Sequence, residues 1–155
     1  MQRKRGIFVK TEKTLLLDEL TVSAFAVELL RHDLLDEILG KEKDFILYCA
    51  GKRIADKYPL YSIEEMVQFF NSAGWGILQL EKEKNDELQF SLTGSLITFR
   101  LQQKATFQLE AGFLAAQIQR QKKLIAECHE QTNNRREKVT FTVRWDIKDS
   151  VENNL

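Results

Sequence analysis

From Val139 to Asp146 apolar and polar side chains alternate one by one. Val139, Phe141, Val143 and Trp145 share one face, and Thr140, Thr142, Arg144 and Asp146 share the other. A period of two in β-branched and aromatic residues predicts a half-buried strand of an antiparallel sheet. Upstream the period lengthens. Phe107, Ala111, Leu114 and Ile118 recur every three or four residues, with Leu109 and Phe113 widening the stripe. That spacing predicts a helix with one face toward a core, carrying one acid, Glu110, and one glycine, Gly112, on its buried side. The stretch between, LIAECHEQTNN, fits either a continued helix or a strand turning back at Asn133-Asn134, because periodicity does not separate the two.

Earlier in the chain, residues 1–13 read as a mobile tail and residues 14–39 as helical, with Phe25, Leu29, Leu30 and Leu34 on one stripe and Gly40 as the stop. Arg31-His32-Asp33 interrupts the stripe and divides the segment into two helices. A further helix opens on Glu42, Lys43 and Asp44, with Ile46, Leu47, Ala50 and Ile54 inward. It ends near Tyr58, because Pro59 disfavours a helical predecessor. Gly51 in its middle costs about 1 kcal/mol against alanine, which close packing of another backbone would offset. Ser62 and Glu65 form a capping box, placing the next helix from Ile63 to about Ala73 with Ile63, Met66, Val67 and Phe70 inward. Residues 77–82 and 88–93 flank a polar turn and read as a hairpin. Alternation of Ile97, Phe99 and Leu101 suggests a third strand over 96–101. Helices segregated from an antiparallel sheet make a single α+β domain over 14–149, with 150–155 as a tail.

Composition narrows the function classes. The 155 residues are 43% hydrophobic and include ten phenylalanines, enough for a large aromatic core. Lysine plus arginine (23) equal aspartate plus glutamate (23), so the basic excess typical of nucleic-acid binders is absent. The basic stretches at Gln2 to Arg5 and Arg135 to Lys138 are short and read as a solvated tail and loop. No run approaches the roughly 18–20 apolar residues of a membrane span, and no signal-peptide pattern follows the charged start. Cys49 and Cys128 do not make a disulfide framework and read as buried reduced thiols, which suits a cytoplasmic protein.

Catalytic patterns are missing. The sequence has no CxxC, HxxxH, GxSxG or phosphate-binding glycine loop, and Cys128 and His129 are adjacent, so on a strand they point to opposite faces. Neither a metal site nor an enzyme is expected. Gly74-Trp75-Gly76 enters a strand, so it turns the chain and seats Trp75. Glu110 stands out as an acid beside an apolar stripe, where it must be paired, protonated or facing a cavity. Arg100, Lys104 and Arg144 are its candidate partners; alternatively it lies exposed at the stripe's margin or orients a polar group of a ligand. Phe69, Phe70, Trp75, Phe90, Phe107 and Phe113 either fill the core or line an apolar pocket.

Four segments together, GKRIADKYP (51–59), SAGWGIL (72–78), FQLEAGFLAAQI (107–118) and VTFTVRWD (139–146), resemble the YslB-like proteins of Gram-positive bacteria. The likeness runs from about Ser23 to Asp149. More distantly, the order of helices, meander, glycine-bearing helix and final hairpin resembles a ligand-binding fold. Its members include haem nitric-oxide sensors, vinyl-reductase-type domains and Golgi-transport tethering subunits. The resemblance implies that LIAECHEQ is a strand and that the fold is of this nitric-oxide-signalling/Golgi-transport ligand-binding kind. The Tyr-x-Ser-x-Arg motif of the haem sensors is not present, which argues against haem, and no other cofactor is expected. Vinyl-reductase-type domains often carry cysteines toward the final hairpin, where this chain has only Cys128. Two expectations follow. One is a non-catalytic domain binding a small apolar ligand at Phe70, Trp75, Phe107 and Glu110. The other is a homodimeric interaction module, like the tethering subunits, that an exposed apolar face over residues 21–39 would favour.

Overall fold

The computed structural model describes residues 12–150. Residues 1–11 and 151–155, which hold most of the two expected tails, lie outside the described residues. Glu12 and Lys13 belong to the first helix rather than to a tail, and Ser150 closes the last strand.

The hairpin expected over residues 77–93 and the strand expected over 139–146 are both present. Strands β1 (Ile77–Glu83), β2 (Glu87–Thr93), β3 (Leu124–Asn133) and β4 (Lys138–Ser150) form one antiparallel sheet in the order β1-β2-β4-β3. LIAECHEQ is therefore a strand, paired along β4 with Cys128 opposite Val143 and His129 opposite Thr142. Val139, Phe141, Val143 and Trp145 face the core with Leu88, Phe90 and Leu92 of β2, as the period of two requires. The opposite face carries Gln89, Thr140, Thr142 and His129. The fold is α+β.

Helices α4 (Lys43–Lys57), α5 (Ile63–Ser72), α6 (Ser95–Gln102) and α7 (Gln108–Lys122) cover the core. Ser62 caps α5 by accepting the Glu65 N–H at 3.1 Å, while the Glu65 carboxylate reaches back to the Tyr61 N–H at 2.9 Å, one residue earlier than in a standard capping box. α6 corrects the third-strand expectation for residues 96–101. Ile97 and Leu101, which share a strand face, are also one helical turn apart, and both are buried with Arg100 while Phe99 is exposed. A side chain set of 97, 100 and 101 is helical spacing.

The tightest packing in the domain joins α4 to α7. A Cβ on Gly51 would overlap the Leu109 carbonyl oxygen and stand 2.7 Å from the Phe113 nitrogen; one on Gly112 would stand 2.7 Å from the Tyr48 carbonyl carbon. Each glycine admits the other helix's backbone, which is the compensation that Gly51 called for. This crossing turns Leu47, Gly51 and Ala55 inward. Ile46, expected inside, is exposed. Cys49 lies outward for the same reason and corrects the expectation of two buried thiols, whereas Cys128 is buried.

Both sheet edges carry features that discourage a further strand. Tyr48 from α4 accepts the Cys128 N–H at 3.1 Å through its hydroxyl and donates that hydroxyl to Glu127. Burial and the Glu127 carboxylate raise the Tyr48 pKa. The β1 edge carries a bulge between Leu80 and Lys82 and a run of charges.

Candidate functional site

The four residues expected to line a pocket fall into two places. Phe70 and Trp75 belong to a packed aromatic cluster. Phe113 stacks on Phe69 with ring centroids 4.6 Å apart and meets Trp75 edge-on at 5.2 Å, and Phe70 meets Trp75 edge-on at 5.2 Å. These rings occupy the volume between helices and sheet against one another.

Phe107 and Glu110 stand instead at the N-terminal turn of α7, and both are fully buried. The Phe107 N–H donates to Glu130 at 2.8 Å, and Gln108 donates to the same carboxylate at 2.9 Å. Glu130 thus caps α7 from β3. Burial raises its pKa against these two hydrogen bonds, and Glu110 and Asp44 add to the rise.

Glu110 pairs with Arg31, not with Arg100, Lys104 or Arg144. Arg31 comes from a helical arm that precedes the domain body: α1 (Glu12–Asp18), α2 (Ala24–Glu28), a π-helical stretch (Leu29–Leu34) and α3 (Leu35–Leu39). Arg31-His32-Asp33 does not divide this segment; it sits in the π-helical stretch, and the helix break falls earlier, between Asp18 and Ala24. Arg100, 1% exposed, donates from Nε and Nη2 to Glu28 of the arm at 3.0 and 2.7 Å. The second Glu28 oxygen stands 3.0 Å from His32 Nε2, the distance of an ion pair without the alignment of a hydrogen bond. Burial lowers the His32 pKa most; Glu28 and Asp36 oppose that, and Arg100 and Arg31 reinforce it.

The arm is therefore amphipathic in reverse. Wider π-helical turns bring Glu28, Arg31 and His32 toward the body and leave Phe25, Leu29, Leu30, Leu34 and Ile38 facing out. Among the described residues, thirteen of the seventeen exposed large apolar side chains lie between Leu15 and Ile46, each at least a third exposed. Monomeric proteins seldom leave such a concentration uncovered. Sequence periodicity showed the stripe but not which way it faced, and the inward charges Glu28, Arg31 and His32 were the signal that it points outward.

Among the described residues no group of three or more histidines, cysteines or acids is arranged to hold a metal ion, and no helix is long and apolar enough to cross a membrane.

Comparison with other proteins agrees with this architecture. Residues 24–144 match the family described as "Protein of unknown function (DUF2507)". Over 137 residues, 87% of this chain and 93% of the relative, the sequence is 47% identical to the uncharacterised protein YslB of Bacillus subtilis (strain 168). A vinyl-4-reductase family protein from Methanocaldococcus jannaschii shares the fold, with a TM-score of 0.65 at 17% identity, covering 86% of this chain and 91% of that one.

Proposed function

This chain belongs to the DUF2507 family, and we propose that it acts as a homodimeric protein-interaction module whose two copies join through the outward face of the arm. The observation that carries the proposal is the reversed amphipathicity of residues 24–39, with charge buried and leucine exposed. A two-fold dimer uses the same patch on both copies, and obligate homodimer interfaces are more apolar than transient ones. Obligate homodimer interfaces take about 1,000 Å² or more from each partner. Among the described residues, the arm offers eleven exposed large apolar side chains, from Leu15 to Ile38, to such a contact. The Arg31–Glu110 and Arg100–Glu28 pairs hold the arm against the body, so the face is presented in fixed form before association.

The same reading requires no cofactor and gives the protein no catalytic step. Glu110 is consumed by Arg31, while His129 and Asp146 stand exposed on separate strands rather than gathering with it. It also places the protein in the cytoplasm, which the free thiols of Cys49 and Cys128 favour.

Leu30→Glu combined with Leu34→Glu tests the proposal. Size-exclusion chromatography with light scattering should show a dimer for the unmodified chain and a monomer for the variant, with far-UV circular dichroism unchanged. A variant of unchanged mass would overturn the proposal.

One observation favours a second role, binding of a small apolar ligand. A groove of about 210 Å³ between α1 and α5 is lined by Thr14, Leu17, Tyr58, Phe69 and Ala73. It falls below the roughly 300 Å³ at which drug-sized sites begin, so its occupant would be small and the role ranks second. Native mass spectrometry of protein purified from cells tests it: a stoichiometric bound mass supports the role, and bare protein opposes it.

A further inference from the structure

The outer, polar face of the sheet holds a feature that dimerisation through the arm does not use. A groove of about 360 Å³ lies on it, lined by Lys82 of β1, Arg136 in the β3–β4 turn and Lys138 of β4 together with Gln89 and Thr140. None of the three cations has an ion-pair partner among the described residues. Glu81 is the acid that lines the groove, and its carboxylate already accepts the Ser91 hydroxyl at 2.7 Å. Glu137, between Arg136 and Lys138, does not line it.

The frame is set before any ligand arrives. Lys82 stands opposite Gln89 in the β1–β2 register, Gln89 is next opposite Thr142 of β4, and Thr140 lies opposite Gln131 of β3. The turn that carries Arg136 is closed by its own N–H, which donates to Asn133 Oδ1 at 3.0 Å. Glu137 adopts a left-handed conformation (φ 49°) to bring the chain into β4. Amide and hydroxyl groups of Gln89, Gln131, Thr132 and Thr140 add neutral donors among the cations.

Three cations against one engaged carboxylate call for an occupant of about two negative charges, and a phosphomonoester carries about −1.5 to −2 at neutral pH. The groove volume falls in the range of small-molecule sites and exceeds what a bare ion needs. We propose that this face binds a small phosphorylated molecule, its phosphate held by Lys82, Arg136 and Lys138. In a protein whose total charge is zero, the local excess makes this groove the place where an anion is read. The basic cluster at 135–138 then has a binding role beyond a solvated loop.

Titration of the full chain with phenyl phosphate, followed by amide resonances at constant ionic strength, tests the proposal. Saturable shifts are expected at Gln89, Asn133, Arg136 and Thr140, and inorganic phosphate should compete for them. Arg136→Gln with Lys138→Gln should weaken binding about ten-fold or more, as loss of charge-assisted hydrogen bonds implies, with the rest of the spectrum retained. Shifts that never saturate, shifts centred elsewhere, or affinity unchanged in the double variant would overturn it. So would polyglutamate binding this face while phenyl phosphate does not.

Discussion

Arg31 on the arm and Glu110 on α7 lie 79 positions apart in the chain, yet they form an ion pair in which the Glu110 side chain is fully buried. The second Glu110 oxygen has no hydrogen-bond partner among the described residues, so the pair rests on Arg31 alone. Removing one partner of a buried pair strands the other charge and costs about 3–5 kcal/mol, whereas replacing both with apolar groups is often close to neutral. Glu110→Ala should therefore lower the unfolding free energy by about 3–5 kcal/mol in urea titrations. Arg31→Met with Glu110→Met should recover most of that loss. A single variant as stable as the parent would show that the pair does not hold the arm.

Acid should loosen the arm through His32. Its folded pKa lies below the ordinary histidine value of 6.5, chiefly because it is buried, with Arg100 and Arg31 pressing it down and Glu28 and Asp36 pulling it up. As pH falls below 6.5 the unfolded chain takes up the proton first, so the contribution present above 6.5 is lost on the way to the lowered folded value. Glu130 acts in the opposite sense: its folded pKa is raised above 4.5, so its contribution is present at low pH and lost as pH rises through the raised value. Thermal melts between pH 7 and pH 5 should fall in the parent chain and fall less in His32→Gln. Equal slopes in the two proteins would contradict this.

Gly112→Ala should destabilise although alanine is the better helix former by about 1 kcal/mol. The new methyl would meet Tyr48 backbone, which cannot rotate away as a side chain can. Overpacking of this kind costs about 1–3 kcal/mol or more. Urea midpoints would register the loss, and a more stable variant would mean that α4 and α7 can move apart freely.

Phe113 stacks on Phe69 and touches Phe70 and Trp75. If these rings support one another as core, Phe113→Ala costs about 3–5 kcal/mol. Were they the walls of a vacant pocket, fewer contacts would be lost and the change would be mild. Trp75 fluorescence during unfolding reads the difference directly.

These residues also show what local patterning can reveal. β4 was legible because period two has one structural meaning when it runs through Val139, Phe141, Val143 and Trp145. Residues 96–101 were not, because Ile97 and Leu101 satisfy a strand and a helix alike, and the deciding burial of Arg100 depends on Glu28, 72 positions away. Glu110 could be recognised as an acid needing a partner. The partner itself is brought by a π-helical stretch whose phase departs from 3.6 residues per turn, so Arg31 was not among the candidates. The leucines of the arm formed a visible stripe, but a stripe carries no sign of whether the apolar surface it meets belongs to the same chain.

That question can be answered by mass. Sedimentation equilibrium of the unmodified chain, run across a wide range of concentrations, should fit twice the monomer mass of 18.1 kDa. A fit to 18.1 kDa at every concentration would contradict a homodimer built on the exposed face of the arm.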